Sequence, residues 1–164
     1  MAIGVEAAVK LIVALIDFSE VTSDLVTLVG SLARATSSKL VLLHVAMPDA
    51  EFVDGEERPD SSRDGIASAL RRRHRDLEIL KMEFEKLGVE TLALLARGHS
   101  PRGNPVPKIV DEVDRLAPDL IVMGSHGRGR LYQLLVGSVT DAVVRRVRQP
   151  VLLVPSPIPA QQRS

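Results

Sequence analysis

"DLIVMGSHGRGRLYQLLVGSVTDAVVRRVRQPVLLVP" runs from Asp119 to Pro155. It opens on an apolar run, "DLIVMG" (Asp119 to Gly124), and passes through a glycine-rich connection to Ser138. A helical pattern follows, with Val139, Val143 and Val147 on one face, and then a second apolar run, "PVLLVP" (Pro150 to Pro155). Apolar runs of this length, without polar alternation, read as strands buried on both faces. Strand, helix and strand in this order make a parallel unit with a right-handed crossover.

Working outward, the same unit recurs. Further apolar runs lie at "KLIVALID" (Lys10 to Asp17), "KLVLLHV" (Lys39 to Val45) and "ETLALLA" (Glu90 to Ala96). Between them, Ser19 to Ala35 aligns Leu25, Val26, Val29, Leu32 and Ala33. Ser62 to Leu87 aligns Ile66, Leu70, Leu77, Leu80, Phe84 and Leu87, and Gly88 supplies a helix stop. Pro105 to Leu116 turns Val106, Ile109, Val110, Val113 and Leu116 inward, with Pro105 in the first turn. The alternation βαβαβαβαβ predicts an α/β fold: a doubly wound five-stranded parallel sheet with helices on both faces. In such sheets ligands sit beyond the carboxyl ends of the strands, where strand order reverses. The Gly124–Ser138 connection leaves a strand at that end.

Composition narrows the function classes. The 164 residues suit one domain, and the formal net charge of +0 argues against a nucleic-acid arm. Aromatics at 2% are too few for a platform that stacks bases. With no cysteine, thiolate zinc sites, disulfides and Cys nucleophiles are excluded. No apolar stretch reaches the roughly 18 residues that span a bilayer, so no membrane partner is expected. Residues 1–9, with Glu6 and no basic start, read as a lead-in rather than a signal peptide, which makes the cytoplasm the default location. The domain is expected over 10–156, with a disordered tail at 157–164. "AMPDAEFVDGEERPDSSRD" (Ala46 to Asp64) is acidic, rich in turn formers and expected to be a mobile loop.

The glycine loop is not a Walker A sequence, since no Gly-Lys-Ser/Thr is present, and the G-x-G-x-x-G fingerprint would follow the first strand rather than the fourth. Glycines at 124, 127, 129 and 137 permit positive φ and close backbone approach, so successive N–H groups can form an anion nest. The alternative is a plain strand-to-helix connector with glycine turns.

The spacing Gly124-x2-Gly127-x9-Gly137-Ser138 resembles the ATP-binding signature of the universal stress protein family. The resemblance extends to "LIDFSE", "LLHV", "DLIVMGSHG" and "GSVTDAVVRRVRQPVLLVP", and so to most of Lys10 to Pro155. It implies a Rossmann-like fold of the adenine nucleotide alpha hydrolase type, strand order 3-2-1-4-5, and a homodimer through the last strand, Val151–Val154. It also implies an ATP site with Mg2+ or Mn2+ carried on the phosphates. Position by position, Asp17 and the backbone of Val45 would meet the adenine. Gly124, Gly127 and Gly137 would line the phosphates, and His126, Arg128, Gly129 and Arg130 would wrap ribose and phosphate. Ser138, Val139 and Thr140 would open the last helix against the terminal phosphates. Two departures stand out: Leu15 and Ile16 before Asp17, where relatives often have a small residue or proline, and an insertion at His99–Arg102.

Several of these residues have a plainer role. Asp17 suits a helix cap or Asx turn as well as a ligand contact. Ser138 with Asp141 resembles a capping box. His44 at a strand end reads as a hydrogen-bonded structural residue. Arg71–Arg75, "RRRHR", reads as a solvated helix face, and Arg145–Arg148 as cations suited to a helix C-terminus. No nucleophile–base set or metal-ligand spacing is apparent, so dedicated catalysis is not expected, although slow ATP hydrolysis would be compatible. The functional expectation is an ATP-dependent regulatory switch in a stress response, with a regulatory protein partner and no nucleic acid. The alternatives are a dimeric interaction module without ATP, and an AMP- or cAMP-binding protein using the same pocket.

Overall fold

The computed structural model describes residues 9–19, 22–47, 63–99, 103–125 and 138–155. Its elements alternate from β1 (Leu11–Leu15), α1 (Thr22–Thr36), β2 (Lys39–Ala46) and α2 (Arg63–Lys86) to β3 (Thr91–Arg97) and α3 (Val106–Leu116). They end with β4 (Leu120–Gly124), α4 (Ser138–Val144) and β5 (Val151–Val154). All pairings are parallel and the strand order is β3-β2-β1-β4-β5. The order therefore reverses between β1 and β4, which makes their carboxyl ends the switch point.

Each strand sends alternate residues to opposite faces. Ile12, Ala14, Leu40, Leu42 and Val122 meet Leu25, Val29 and Ala33 of α1 and Leu77 and Phe84 of α2. On the other face Ile121 and Met123 meet Val106, Ile109 and Val113 of α3 and Val143 of α4. Fully buried leucines and isoleucines such as Leu42 and Ile121 each contribute about 1.5–3 kcal/mol. Glycine sets the closest helix approach: a Cβ on Gly30 would lie 2.9 Å from Cε1 of Phe84.

Two expectations about burial are corrected. Leu87 is not inside but 53% exposed, because α2 stops at Lys86 and the chain turns at Gly88 with φ +79°. β3 is not covered on both faces: Leu92 is 52% exposed, because β3 is an edge strand. Glu112 shows the reverse, an acid inside the apolar face of α3 at 8% exposure. Lys108 Nζ lies 2.8 Å from its carboxylate, and Arg115 donates to it at 2.6 and 2.8 Å. Hydrogen bonding, first from Lys108 and then from Arg115, holds Glu112 below the usual carboxylate range against the opposing effect of burial.

Asp119 fastens the amino ends of β1 and β4. Its Oδ2 accepts the backbone N–H groups of Lys10 (2.8 Å) and Leu11 (2.9 Å), and its own N–H donates to Leu11 O (3.0 Å). Those two N–H groups, Lys10's first, lower its pKa from the ordinary aspartate value. At the other end the last registered pair between the strands is Ala14 with Val122. Among the described residues no helix is long and apolar enough to cross a membrane.

Candidate nucleotide site

β1 ends early because the chain turns at Asp17. Asp17 Oδ1 accepts the Ser19 N–H (3.0 Å), the Ser19 hydroxyl (2.7 Å) and the Thr22 hydroxyl (3.3 Å). This carboxylate-centred turn supports Phe18 at φ +56°, which is rare for a side chain of that size. Asp17 therefore fills the Asx-turn role; among the described residues no backbone N–H of α1 donates to it, so the helix-cap reading is not met.

A second set of contacts holds the same turn from β2 and α2. His44, 6% exposed, donates from Nδ1 to the Ile16 carbonyl at 2.6 Å. Its ring meets Phe18 edge-on, with centroids 5.0 Å apart, and the Arg73 guanidinium lies 4.9 Å from the Phe18 centroid. His44 thus serves as a structural residue that fixes the backbone next to Asp17.

Val45 is half-buried, and its backbone direction follows from the ladder. Lys39 donates to Lys10 O and Leu43 accepts from Ile16 N, so odd-numbered residues of β2 turn their backbone groups toward β1. Val45, next in that series, turns its N–H and C=O toward the space beyond the last residue of β1.

Across the switch point, Gly124 ends β4 and Ser138 begins α4. Thr140, 3% exposed, donates its hydroxyl to the Gly124 carbonyl at 3.0 Å. One side-chain bond therefore clasps the two ends of the intervening loop. Ser125 N–H donates to Val154 O at 2.8 Å, tying the same end to β5. Val139 packs half-buried in the α3–α4 core. Asp141, paired with Ser138 in the capping-box reading, directs its carboxylate forward to Arg145 Nε at 2.9 and 3.0 Å. His126, Gly127, Arg128, Gly129, Arg130 and Gly137 lie outside the described residues. So do residues 48–62, residues 100–102 of the insertion and the tail from 156. Among the described residues no cluster of His, Cys, Asp or Glu could hold a metal ion.

The fold brings Asp17, Val45, Gly124 and Thr140 to one end of the sheet, around the gap between β1 and β4. Sequence reasoning did not find Asp119 or the inward pairing of Thr140. The positions of Lys108 and Arg115, four before and three after Glu112, were a readable signal for its burial.

Residues 8–155 match the model of the universal stress protein family. The chain belongs to that family. It is 30% identical over 126 residues to the universal stress protein A-like protein of Arabidopsis thaliana, covering 74% of this chain and 69% of that one. It is 35% identical over 78 residues to universal stress protein MJ0577 of Methanocaldococcus jannaschii, covering 48% of this chain and 45% of that relative's length. The solved structure of MJ0577 superposes with a TM-score of 0.70 and 26% identity over 92% of this chain and 99% of that one. The fold is shared with a universal stress protein solved in complex with cAMP (TM-score 0.60, 22% identity, 92% and 100% coverage). It is also shared with one from Archaeoglobus fulgidus in complex with dAMP (TM-score 0.55, 21% identity, 88% and 96% coverage). The doubly wound Rossmann-like α/β fold and the order 3-2-1-4-5 thus agree with the family resemblance.

Proposed function

We propose that this universal stress protein binds ATP at the β1–β4 switch point and works as a nucleotide-dependent regulatory switch in a stress response. The observation that carries this reading is the convergence of the Asp17 turn, the Val45 backbone turned past the end of β1 and the clasped ends of the Gly124–Ser138 loop at the carboxyl end of the sheet. In this reading Asp17 Oδ2 accepts the adenine amino group while Oδ1 keeps its turn. The backbone of Val45 meets the base edge. The loop glycines, with His126, Arg128, Gly129 and Arg130, surround ribose and phosphates, and Ser138 and Val139 close the phosphate end. Mg2+ or Mn2+ would enter on the phosphates. The cAMP and dAMP complexes of proteins sharing this fold support an adenine nucleotide as the ligand class.

The reading is of a binder rather than a dedicated enzyme. In this reading Asp17 engages Oδ1 in its turn and Oδ2 with the adenine, which leaves neither oxygen for an attacking water. Isothermal calorimetry with Mg2+ and ATP tests the proposal, and absence of heat at millimolar ATP with folded protein refutes it. A competition series of ATP, ADP, AMP and cAMP ranks the phosphate requirement. Gly127→Val adds bulk where phosphate approaches and is expected to abolish binding.

A second reading, compatible with the first, is a homodimer through β5. β5 is a sheet edge, its Val151, Leu152 and Leu153 are only half-buried, and Pro150 and Pro155 bracket it.

A further inference from the structure

The opposite edge of the sheet carries a pattern of its own. β3 spans Thr91–Arg97, "TLALLAR", and among the described residues only β2 pairs with it. Native edge strands are commonly protected by short length, proline or lysine. β5 is four residues long between two prolines, whereas β3 is seven residues long with no proline and a single charge, Arg97, at its end. Leu92 projects from it 52% exposed.

The ladder fixes which backbone groups point outward. Leu40 N–H donates to Glu90 O and Gly98 N–H to Ala46 O, both at 2.9 Å, so even-numbered positions face β2. By alternation Thr91, Ala93, Leu95 and Arg97 direct their N–H and C=O groups away from the sheet.

We infer that this edge is a self-association surface, on which a second copy of the chain adds its own β3 antiparallel about a two-fold axis through Leu94. In that register Thr91 lies opposite the partner's Arg97 and Ala93 opposite the partner's Leu95, so all four outward-facing residues exchange hydrogen bonds with outward-facing residues. The side chains match in size as well. Leu92 lies opposite the partner's Ala96 on one face, and Leu95 opposite the partner's Ala93 on the other. Leu94 meets the partner's Leu94 on the axis. Each face of one copy continues the same face of the other, since Ala93 and Leu95 belong to the α1–α2 core and Leu94 and Ala96 to the opposite one. Moving the centre to Ala93 or Leu95 keeps the parity but leaves Arg97 or Thr91 without a strand partner and sets Leu92 or Ala96 against Leu94. The sequence of β3 is thus complementary to its own reversal, which selects a second copy over an unrelated strand.

The chain has no cysteine, so single introduced cysteines report the register directly. A residue facing itself in a non-hydrogen-bonded antiparallel pair has a Cα separation of about 4.5 Å, within disulfide reach. Two copies of position 92 would lie about 13 Å apart along the strands, beyond it. Under mild oxidation Leu94→Cys is expected to shift from the 17.8 kDa monomer to a dimer on a non-reducing gel, while Leu92→Cys alone stays monomeric. Mixing Leu92→Cys with Ala96→Cys restores the dimer. Should circular dichroism show Leu94→Cys unfolded, the mixed pair carries the test. Failure of the folded Leu94→Cys protein to cross-link, or equal cross-linking of Leu94→Cys and Leu92→Cys alone, overturns the inference. Both outcomes are independent of nucleotide.

Discussion

Substitution of Asp17 separates its two roles. As a turn residue it accepts three hydrogen bonds on Oδ1, at 3.0, 2.7 and 3.3 Å, and supports Phe18 at φ +56°. Asp17→Ala removes all three and with them the turn that precedes α1. The lost turn hydrogen bonds cost about 1 kcal/mol, and the unsupported backbone of Phe18 adds a comparable amount, for a cost of about 2 kcal/mol. Asp17→Asn keeps an oxygen in place and weakens charge-assisted bonds to neutral ones, so its cost is about 0.5–1 kcal/mol. The nucleotide role reverses this leniency. An asparagine that turns its oxygen to Ser19 presents its amide N–H2 to the adenine amino group, donor against donor. Loss of a bond to a charged acceptor costs about 1.5–3 kcal/mol, which is roughly a tenfold to hundredfold loss of ATP affinity. Urea unfolding of the apo protein measures the first quantity and calorimetry with Mg2+ and ATP the second. Asp17→Asn should therefore be nearly as stable as wild type yet bind much more weakly. Wild-type affinity in Asp17→Asn would show that the residue is a turn residue alone.

Two other substitutions probe neighbouring features. Thr140→Val deletes the clasp on the Gly124 carbonyl at nearly constant volume; it should cost about 1 kcal/mol, lowering Tm by roughly 2–4 °C, and weaken ATP about fivefold. Unchanged melting and unchanged binding would both count against the clasp. Glu112→Gln should destabilise by about 1–2 kcal/mol at pH 7. Because the folded pKa of Glu112 is depressed, wild type holds this advantage above the unfolded glutamate value of about 4.3 and loses it as pH falls through the lower folded value. Urea curves for the two proteins should converge in acid, and a constant gap from pH 7 downward would refute the assignment.

The five strands were legible because each is a compact apolar run, and the helices because their apolar residues keep one stripe. Strand order was not legible from that pattern, since alternation alone does not say which strand adds to which side; the family resemblance supplied it. β1 was read through Asp17, but it stops at Leu15 because Asp17 and Phe18 form a turn that no hydrophobicity pattern records. The exposure of Leu92 depends on its strand lying at the edge, which is a tertiary fact. Asp119 looks like an ordinary loop acid, and its partners are 108 and 109 residues away in sequence. Around the site the glycine spacing was visible at once, whereas the inward hydrogen bond of Thr140 needed coordinates, because a hydroxyl's partner is chosen by the fold.

The Asp119 contacts also have a mechanical consequence. They join β1 to β4 at one end, while the registered pairing stops at Ala14 and Val122 near the other. The two strands are thus fastened where they begin and unpaired with each other where they end, between Asp17 and Gly124. The Asp17 turn ties that unpaired end to α1 through Thr22, and the Thr140 hydroxyl ties it to α4. The closed end is fastened strand to strand, whereas the open end is fastened strand to helix, on both faces of the sheet.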